Sequence, residues 1–296
     1  MKIKIFKIVM LVLLISVLPI STYFASAADI VSLEVSAGFW YEIPTFGLAL
    51  DFSQIIQNML NNQKLPQLPG NTYTTTSNYT ISAPFKSELA FMARAKFEHP
   101  LPVIPNIYVL YTPVILNGSI TLNGSVNVKD SFGHSATTNI TRNVASMDTS
   151  MNMFDIAFYS GIPFLKAASL GWFSLDLGLD FKVLSVPTAL LPTGTTLPIN
   201  VIPIPTIYAA FQVSPAEMDD FSFEGEARIL PAFIISDITS QLNASIYDLL
   251  GRVKYNFLKP AYVSVGYRYQ AIAVGSQGIA VSVKTQGPFA EVGTIF

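Results

Sequence analysis

In ten stretches of this chain every ionised side chain falls on one side of a two-residue alternation, and the other side is almost wholly apolar. The stretches are residues 31–41, 88–98, 107–112, 153–159, 173–183, 207–214, 221–230, 247–257, 261–273 and 288–296. The clearest runs from 173 to 183, where Phe173, Leu175, Leu177, Leu179, Phe181 and Val183 alternate with Ser174, Asp176, Gly178, Asp180 and Lys182. Together the stretches carry seventeen charges: Glu34, Glu88, Arg94, Lys96, Glu98, Asp155, Asp176, Asp180, Lys182, Glu224, Glu226, Arg228, Asp248, Arg252, Lys254, Arg268 and Glu291. Setting the phase of each of the eight charged stretches absorbs one charge apiece, which leaves nine independent agreements. Chance gives that about once in 500 trials for a two-residue period. A period of two means β-strands with unlike faces.

Composition narrows what those faces meet. Hydrophobic residues make up 51% of the chain and charged residues only 12%, about half the charge of an ordinary soluble domain. Yet beyond residue 27 no stretch approaches the ~20 consecutive apolar residues of a membrane helix. The apolarity is spread over strands instead. A soluble sandwich also alternates, but its strands are usually about 5–6 residues long. The clear ones here persist for the ~9–11 residues that cross a bilayer at a tilt. Phe39, Phe97, Tyr255, Phe257 and Tyr269 lie near strand ends on the apolar face, where interfacial aromatic girdles occur. The expected fold is therefore an all-β, antiparallel up-and-down transmembrane barrel of ten strands, with eight or twelve as the alternatives.

The two ends of the chain suit export. Lys2, Lys4 and Lys7 precede an apolar run from Ile8 to Ile20, and Ala25-Ser26-Ala27 supplies a small-x-small cleavage site. This predicts a signal peptide over 1–27 and a barrel domain over 28–296. Losing three lysines takes the formal charge from −2 to −5, which with no basic stripe argues against nucleic acid. The absence of cysteine removes disulfides and thiolate chemistry. The last alternating stretch closes on Phe296, an expected signal for the barrel-assembly machinery. Periplasmic chaperones, outer-membrane lipid and lipopolysaccharide complete the expected partners.

Connections alternate between long and short, as in outer-membrane barrels with long loops outside and short turns in the periplasm. Residues 42–87, 113–152, 184–206 and 231–246 are long; 99–105, 215–220 and 258–260 are short, and 160–172 is of modest length. Asn117-Gly118, Asn123-Gly124 and Asp130-Ser-Phe-Gly133 predict a hairpin that extends the third and fourth strands, turning near Phe132-Gly133. Phe52, Ile55, Ile56, Met59 and Leu60 predict a short amphipathic helix over 51–60. Near the end, Ile279, Val281 and Val283 are odd while Ala290, Val292 and Phe296 are even. That change of phase predicts a β-bulge or break at Gly287-Pro288.

Catalytic chemistry has little to build on. Neither of the two histidines, His99 and His134, has both a carboxylate and a serine arranged around it that the sequence reveals, and no metal-ligand spacing or phosphate loop occurs. The expectation is no enzyme, no cofactor and no metal. The charged faces hold ten carboxylates against seven cations, so a paired network that fills a small barrel is expected rather than a single-sign ion filter. Arg94, Arg228, Arg252 and Arg268 are long enough to occlude a lumen of this size.

Several segments together resemble a family of Gram-negative outer-membrane β-barrel proteins of about this length, whose motifs carry no assigned activity. They are Phe97-Glu-His-Pro-Leu-Pro-Val-Ile-Pro-Asn106, Ile107-Tyr-Val-Leu-Tyr-Thr112, Asp155-Ile-Ala-Phe-Tyr159, Ser174-Leu-Asp-Leu-Gly-Leu-Asp-Phe-Lys182, Val265-Gly-Tyr-Arg-Tyr269 and Gly287-Pro-Phe-Ala-Glu-Val-Gly293. The first two outer loops are longer than is usual there, and Thr294 stands where many final strands carry an aromatic. The resemblance implies a barrel in the outer membrane and is silent on substrate. Residues and resemblance together leave three expected roles. The first is a structural protein or narrow passive pore for small solutes. The second is a surface adhesion or binding module working through residues 42–87 and 113–152. The third is a carrier of small hydrophobic molecules.

Overall fold

The computed structural model describes residues 31–50, 74–82, 84–99, 101, 104–129, 135–185, 201–215, 218, 220–230, 243–276 and 279–296. Eleven strands and one short helix follow in chain order: β1 (Ser32–Leu50), β2 (Thr74–Ser82), β3 (Glu88–Glu98), β4 (Asn106–Lys129), β5 (Ser135–Gly161), α1 (Pro163–Ala168), β6 (Phe173–Ser185), β7 (Val201–Val213), β8 (Phe221–Leu230), β9 (Asn243–Leu258), β10 (Ala261–Ser276) and β11 (Ile279–Ile295). The segment 1–27 and the helix expected over 51–60 lie outside the described residues.

Ten of the strands close a ring in the order β4-β3-β1-β11-β10-β9-β8-β7-β6-β5, and β5 returns to β4. Every pairing is antiparallel. The ends of the chain meet at the seam, where Leu33 and Phe296 exchange backbone hydrogen bonds of 3.0 and 2.9 Å. Closure is what lipid demands of a sheet, because an open edge in hydrocarbon leaves backbone donors and acceptors without partners. The eleventh strand, β2, is additional to the ten expected. It pairs with β4 from Thr74↔Lys129 to Ser82↔Thr121, beyond the level where β3 stops. The pairing expected of the hairpin is present, since β4 and β5 stay paired from Asn106↔Tyr159 to Lys129↔Ser135; the turn expected near Phe132-Gly133 lies outside the described residues.

Outward-facing residues form an apolar belt that includes Leu89, Phe154, Phe158, Leu177, Leu179, Ile207, Phe211, Leu249, Val265 and Tyr267, all exposed. Towards the long-loop end this face turns polar, at Asp148, Ser150, Lys284 and Gln286. The inward face changes in the opposite sense at the same level. Val114, Leu116, Met151, Met153, Leu184, Ile204, Leu230, Ile246, Ile272 and Val283 occupy the inward parity, which in β5, β6 and β8 to β11 carries charges lower down, and they pack into one buried cluster. The wall is thus built for lipid below, and like a soluble sandwich above.

Of the β-bulge or break expected at Gly287-Pro288, the bulge is absent, and a break occurs only in the ladder to β1. β11 keeps one register with β10 from Ala261↔Thr294 to Ser276↔Ile279, and with β1 from Glu34↔Ile295 to Leu50↔Ile279. The ladder to β1 lapses at two residues, Tyr41 and Glu42, opposite Pro288 and Gly287, but no residue is gained or lost. The phase of apolar residues changes because the strand leaves the bilayer, not because the backbone slips.

Candidate functional site

The lumen is the place where these strands bring chemistry together, and it is organised in tiers. At the short-turn mouth, Lys96 faces Glu98 at 2.8 Å and Asp176 at 3.4 Å, and the Tyr159 hydroxyl donates to Glu98 at 3.0 Å. Above this, Arg252 binds three carboxylates from three strands. It donates to Glu34 at 2.9 Å, to Glu224 at 2.7 Å and to Glu291 at 3.2 Å. Lys254 joins the same pair of acids, Glu34 at 3.1 Å and Glu224 at 2.7 Å. Tyr262 and Ser264 donate to Glu34 and Glu291 at 2.7 and 3.1 Å.

Glu291 hands the chain of contacts upward, since its second oxygen lies 3.3 Å from Arg94. Arg94 and Arg228 both donate to Glu226, at 3.1 and 2.9 Å, and Tyr108 adds a third bond at 3.0 Å. The Arg228 guanidinium lies over the rings of Tyr108 and Tyr208, 4.9 and 5.3 Å from their centroids, and those rings stack at 5.8 Å. Asp180 sits 3.9 Å from Arg228 and accepts from Thr206 at 2.7 Å. The uppermost ionic tier is Asp155–Lys182–Asp248–Arg268. Lys182 pairs with Asp155 and donates to Asp248 at 3.0 Å. Arg268 lies over the Trp40 ring at 4.9 Å.

Sixteen of the seventeen charged positions named from sequence take part in these pairs. Glu88 stands apart, near the top of β3, where it accepts from Asn117 at 3.3 Å. Each of the sixteen therefore meets an opposite charge, which is the condition for keeping ions inside a protein at all. Such a network specifies more than it stabilises, because desolvation consumes most of the attraction. A slip of one residue would turn every charge of that strand outward, so the pairs fix register.

Several lumen residues escape a reading by charge alone. Tyr108, Tyr159, Tyr208 and Tyr262 are buried with the charges, yet tyrosine on a barrel strand reads first as a lipid-facing girdle. Parity is the available signal for Tyr159 and Tyr262, which share the phase of Asp155 and Arg268 in their strands; the stretches that hold Tyr108 and Tyr208 carry no charge to set a phase. Glu42 falls just past the first alternating stretch, which ends at Tyr41, although it continues the even series of Glu34 and Trp40. The packed apolar tier above the ions leaves no single-residue signal.

No family model matches the chain, and no curated protein matches it. Among solved structures it is similar to the outer membrane protease OmpT from Escherichia coli, at 8% identity over 91% of this chain and 97% of that one, with a TM-score of 0.48. It is also similar to the outer membrane protein OprG from Pseudomonas aeruginosa, at 10% identity over 90% and 95%, with a TM-score of 0.25. A third is the toluene transporter TodX from P. putida, at 9% identity over 91% and 66%, with a TM-score of 0.26. At such values the likeness extends to no activity or substrate. It does correct the expectation that the chain is not an enzyme. The first of these barrels is a protease, and the expected absence of catalysis does not stand. The closed antiparallel ring, its apolar belt and its ion-paired interior together make this chain an integral β-barrel protein of the bacterial outer membrane.

Proposed function

We propose that the protein is a sealed membrane anchor that presents the sheet formed by β2, β4 and β5 at the cell surface, where it acts as a binding module. The observation that carries this reading is the filling of the lumen at two levels. A ten-stranded ring is only slightly wider than the eight-stranded ring that side chains just fill. Here the ionic tiers occupy it below, and the apolar cluster from Val114 to Val283 occupies it above. Four fully or nearly buried arginines, Arg94, Arg228, Arg252 and Arg268, stand across the axis.

The length of two strands supports the second half of the reading. β4 has 24 residues and β5 has 27, each more than twice the ~9–11 that cross a bilayer. From Asn117↔Asp148 to Lys129↔Ser135 the hairpin continues for roughly 40 Å at the usual strand rise. A wall this tall serves no purpose in retaining lipid contact. On this reading its membrane partners are outer-membrane lipid and lipopolysaccharide around the belt, and the assembly machinery engages the strand ending in Phe296.

An epitope inserted between residues 130 and 134 tests the proposal. Antibody should label intact cells through that tag, and a chain lacking residues 119–146 should still fold to a heat-modifiable barrel. Labelling only after the outer membrane is broken would overturn the reading.

A further inference from the structure

One level of the lipid-facing wall is hollow. Cross-strand pairing sets Phe211, Gly225, Gly251 and Tyr267 side by side on β7, β8, β9 and β10. All four lie on the outward parity, so two glycines fall between two exposed rings. The next outward row sets Ala209 and Ala227 beside Leu249 and Tyr269. These eight positions line a groove of about 500 Å³, a volume typical of small-ligand sites. From Phe211 to Tyr267 it crosses three inter-strand steps, roughly 14 Å at the usual spacing. Glu224 and Glu226 also border it, but both acids are already held by lysine or arginine.

The protein itself gives Gly251 no reason to be glycine. Its backbone stays out of the left-handed region, and a Cβ there would meet nothing within 4 Å. β9 keeps register with β8 and β10 through this residue. A glycine inside a strand costs backbone entropy and packing, and where no bulge or bend demands it, close approach of a ligand is its remaining role. Gly225 differs, because the Phe211 ring occupies the place of a Cβ.

The end of the groove nearer the long loops adjoins the polar part of the outer wall. Tyr269 pairs with Gln286 on β11, and Lys284 stands two residues further along the same outward face. Lys284 is thus a diagonal neighbour of Tyr269, with roughly 7–8 Å between Cα atoms. Lys284 is exposed and has no acid beside it among the described residues, and the hydroxyls of Tyr267 and Tyr269 are equally uncommitted there. An apolar trough that ends beside a cation matches an amphiphile with an anionic head.

We propose that the groove holds an acyl chain of a lipopolysaccharide molecule, with Lys284 and Gln286 bound to a phosphate of its head. The groove is continuous with the apolar belt, so its occupant comes from the bilayer, and the charge of Lys284 selects an anionic lipid. Lysine meets phosphate as a point charge, and its stem can follow the apolar wall while the ammonium reaches the head group. The choice of lipopolysaccharide rests on the long loops being external, as in the reading above, which puts Lys284 in the outer leaflet.

Nondenaturing mass spectrometry of the full chain, folded in detergent without lipopolysaccharide, tests the site with purified lipid A, the phosphorylated acyl core of that lipid. The wild type should bind one molecule saturably. Gly251→Leu fills the groove and should weaken binding about tenfold. Lys284→Gln should weaken it about fivefold, the worth of one lysine at an anionic surface. Val263→Leu, on the belt away from the groove, should bind as the wild type does. Heat-dependent gel mobility checks that each variant folds, and Lys284→Gln decides if Gly251→Leu does not. No saturable binding, a lipid-free dimer of the wild type, or undiminished binding by either folded groove or lysine variant overturns the site. Equal retention of dioleoyl phosphatidylglycerol overturns the choice of lipid. Binding in detergent does not depend on orientation in the cell, so failure of the surface-epitope test and failure of this site are read separately.

Discussion

Arg268 grips Asp248 through two parallel hydrogen bonds, Nε to Oδ1 at 2.9 Å and Nη2 to Oδ2 at 2.6 Å, and both side chains are fully buried. The fork spans β10 and β9, which pair through Gln270↔Asp248 and Arg268↔Leu250. Asp248 also takes Lys182 from β6, three strands round the ring from β9. One carboxylate thus joins three strands. Asp248→Ala removes a shared partner from two buried cations, leaving Asp155 as the one acid beside both, and should cost about 3–5 kcal/mol, read from urea unfolding in lipid vesicles. The double variant Asp248→Leu with Arg268→Met should recover most of that loss, since an apolar pair of similar volume is often neutral.

The change of wall character towards the long-loop end predicts position-dependent effects of an added charge. Val265 is 60% exposed within the apolar belt, and Val265→Arg should cost about 2–4 kcal/mol. Ser150 is exposed on the same outward face but beyond the belt, and Ser150→Arg should cost about 1 kcal/mol at most. Equilibrium unfolding of both variants in the same vesicles checks the difference.

The apolar tier should behave as a packed core. Leu116 is fully buried in it, so Leu116→Ala should lose about 2–5 kcal/mol. It should not open a path, because the ionic tiers remain below. Unfolding and bilayer recordings on the same variant separate the two effects.

The strand that closes the ring tolerates no bulk at Gly38. A Cβ there would meet the backbone of β11, with Glu291 Cα at 2.7 Å and Ala290 C at 2.8 Å. Gly38→Val should destabilise the β1–β11 join by about 1–3 kcal/mol. The fraction of protein that keeps folded mobility on a gel should fall accordingly.

How much of the fold and the lumen is legible in the sequence follows from what alternation encodes. A period of two assigns a face, so the barrel and the inward parity of residues such as Asp180 and Lys182 can be read from residue order alone. It does not assign a neighbour. The bond from Arg252 to Glu34 spans 218 residues, and only ring closure brings those strands near each other. The apolar phase change in β11 carries real information but reads as a kink, because one strand alone cannot tell a slipped backbone from a changed surrounding. β2 is illegible for another reason: Thr-Thr-Thr-Ser-Asn-Tyr-Thr-Ile-Ser has no apolar face, and its order comes from pairing with β4.

Ion conductance across a planar lipid bilayer tests the sealed lumen most directly. Folded wild-type protein, shown inserted by its heat-dependent gel shift, should give no steady current in either polarity. Persistent ohmic steps of uniform size from that same protein would contradict the filling of the axis by Arg94, Arg228, Arg252 and Arg268.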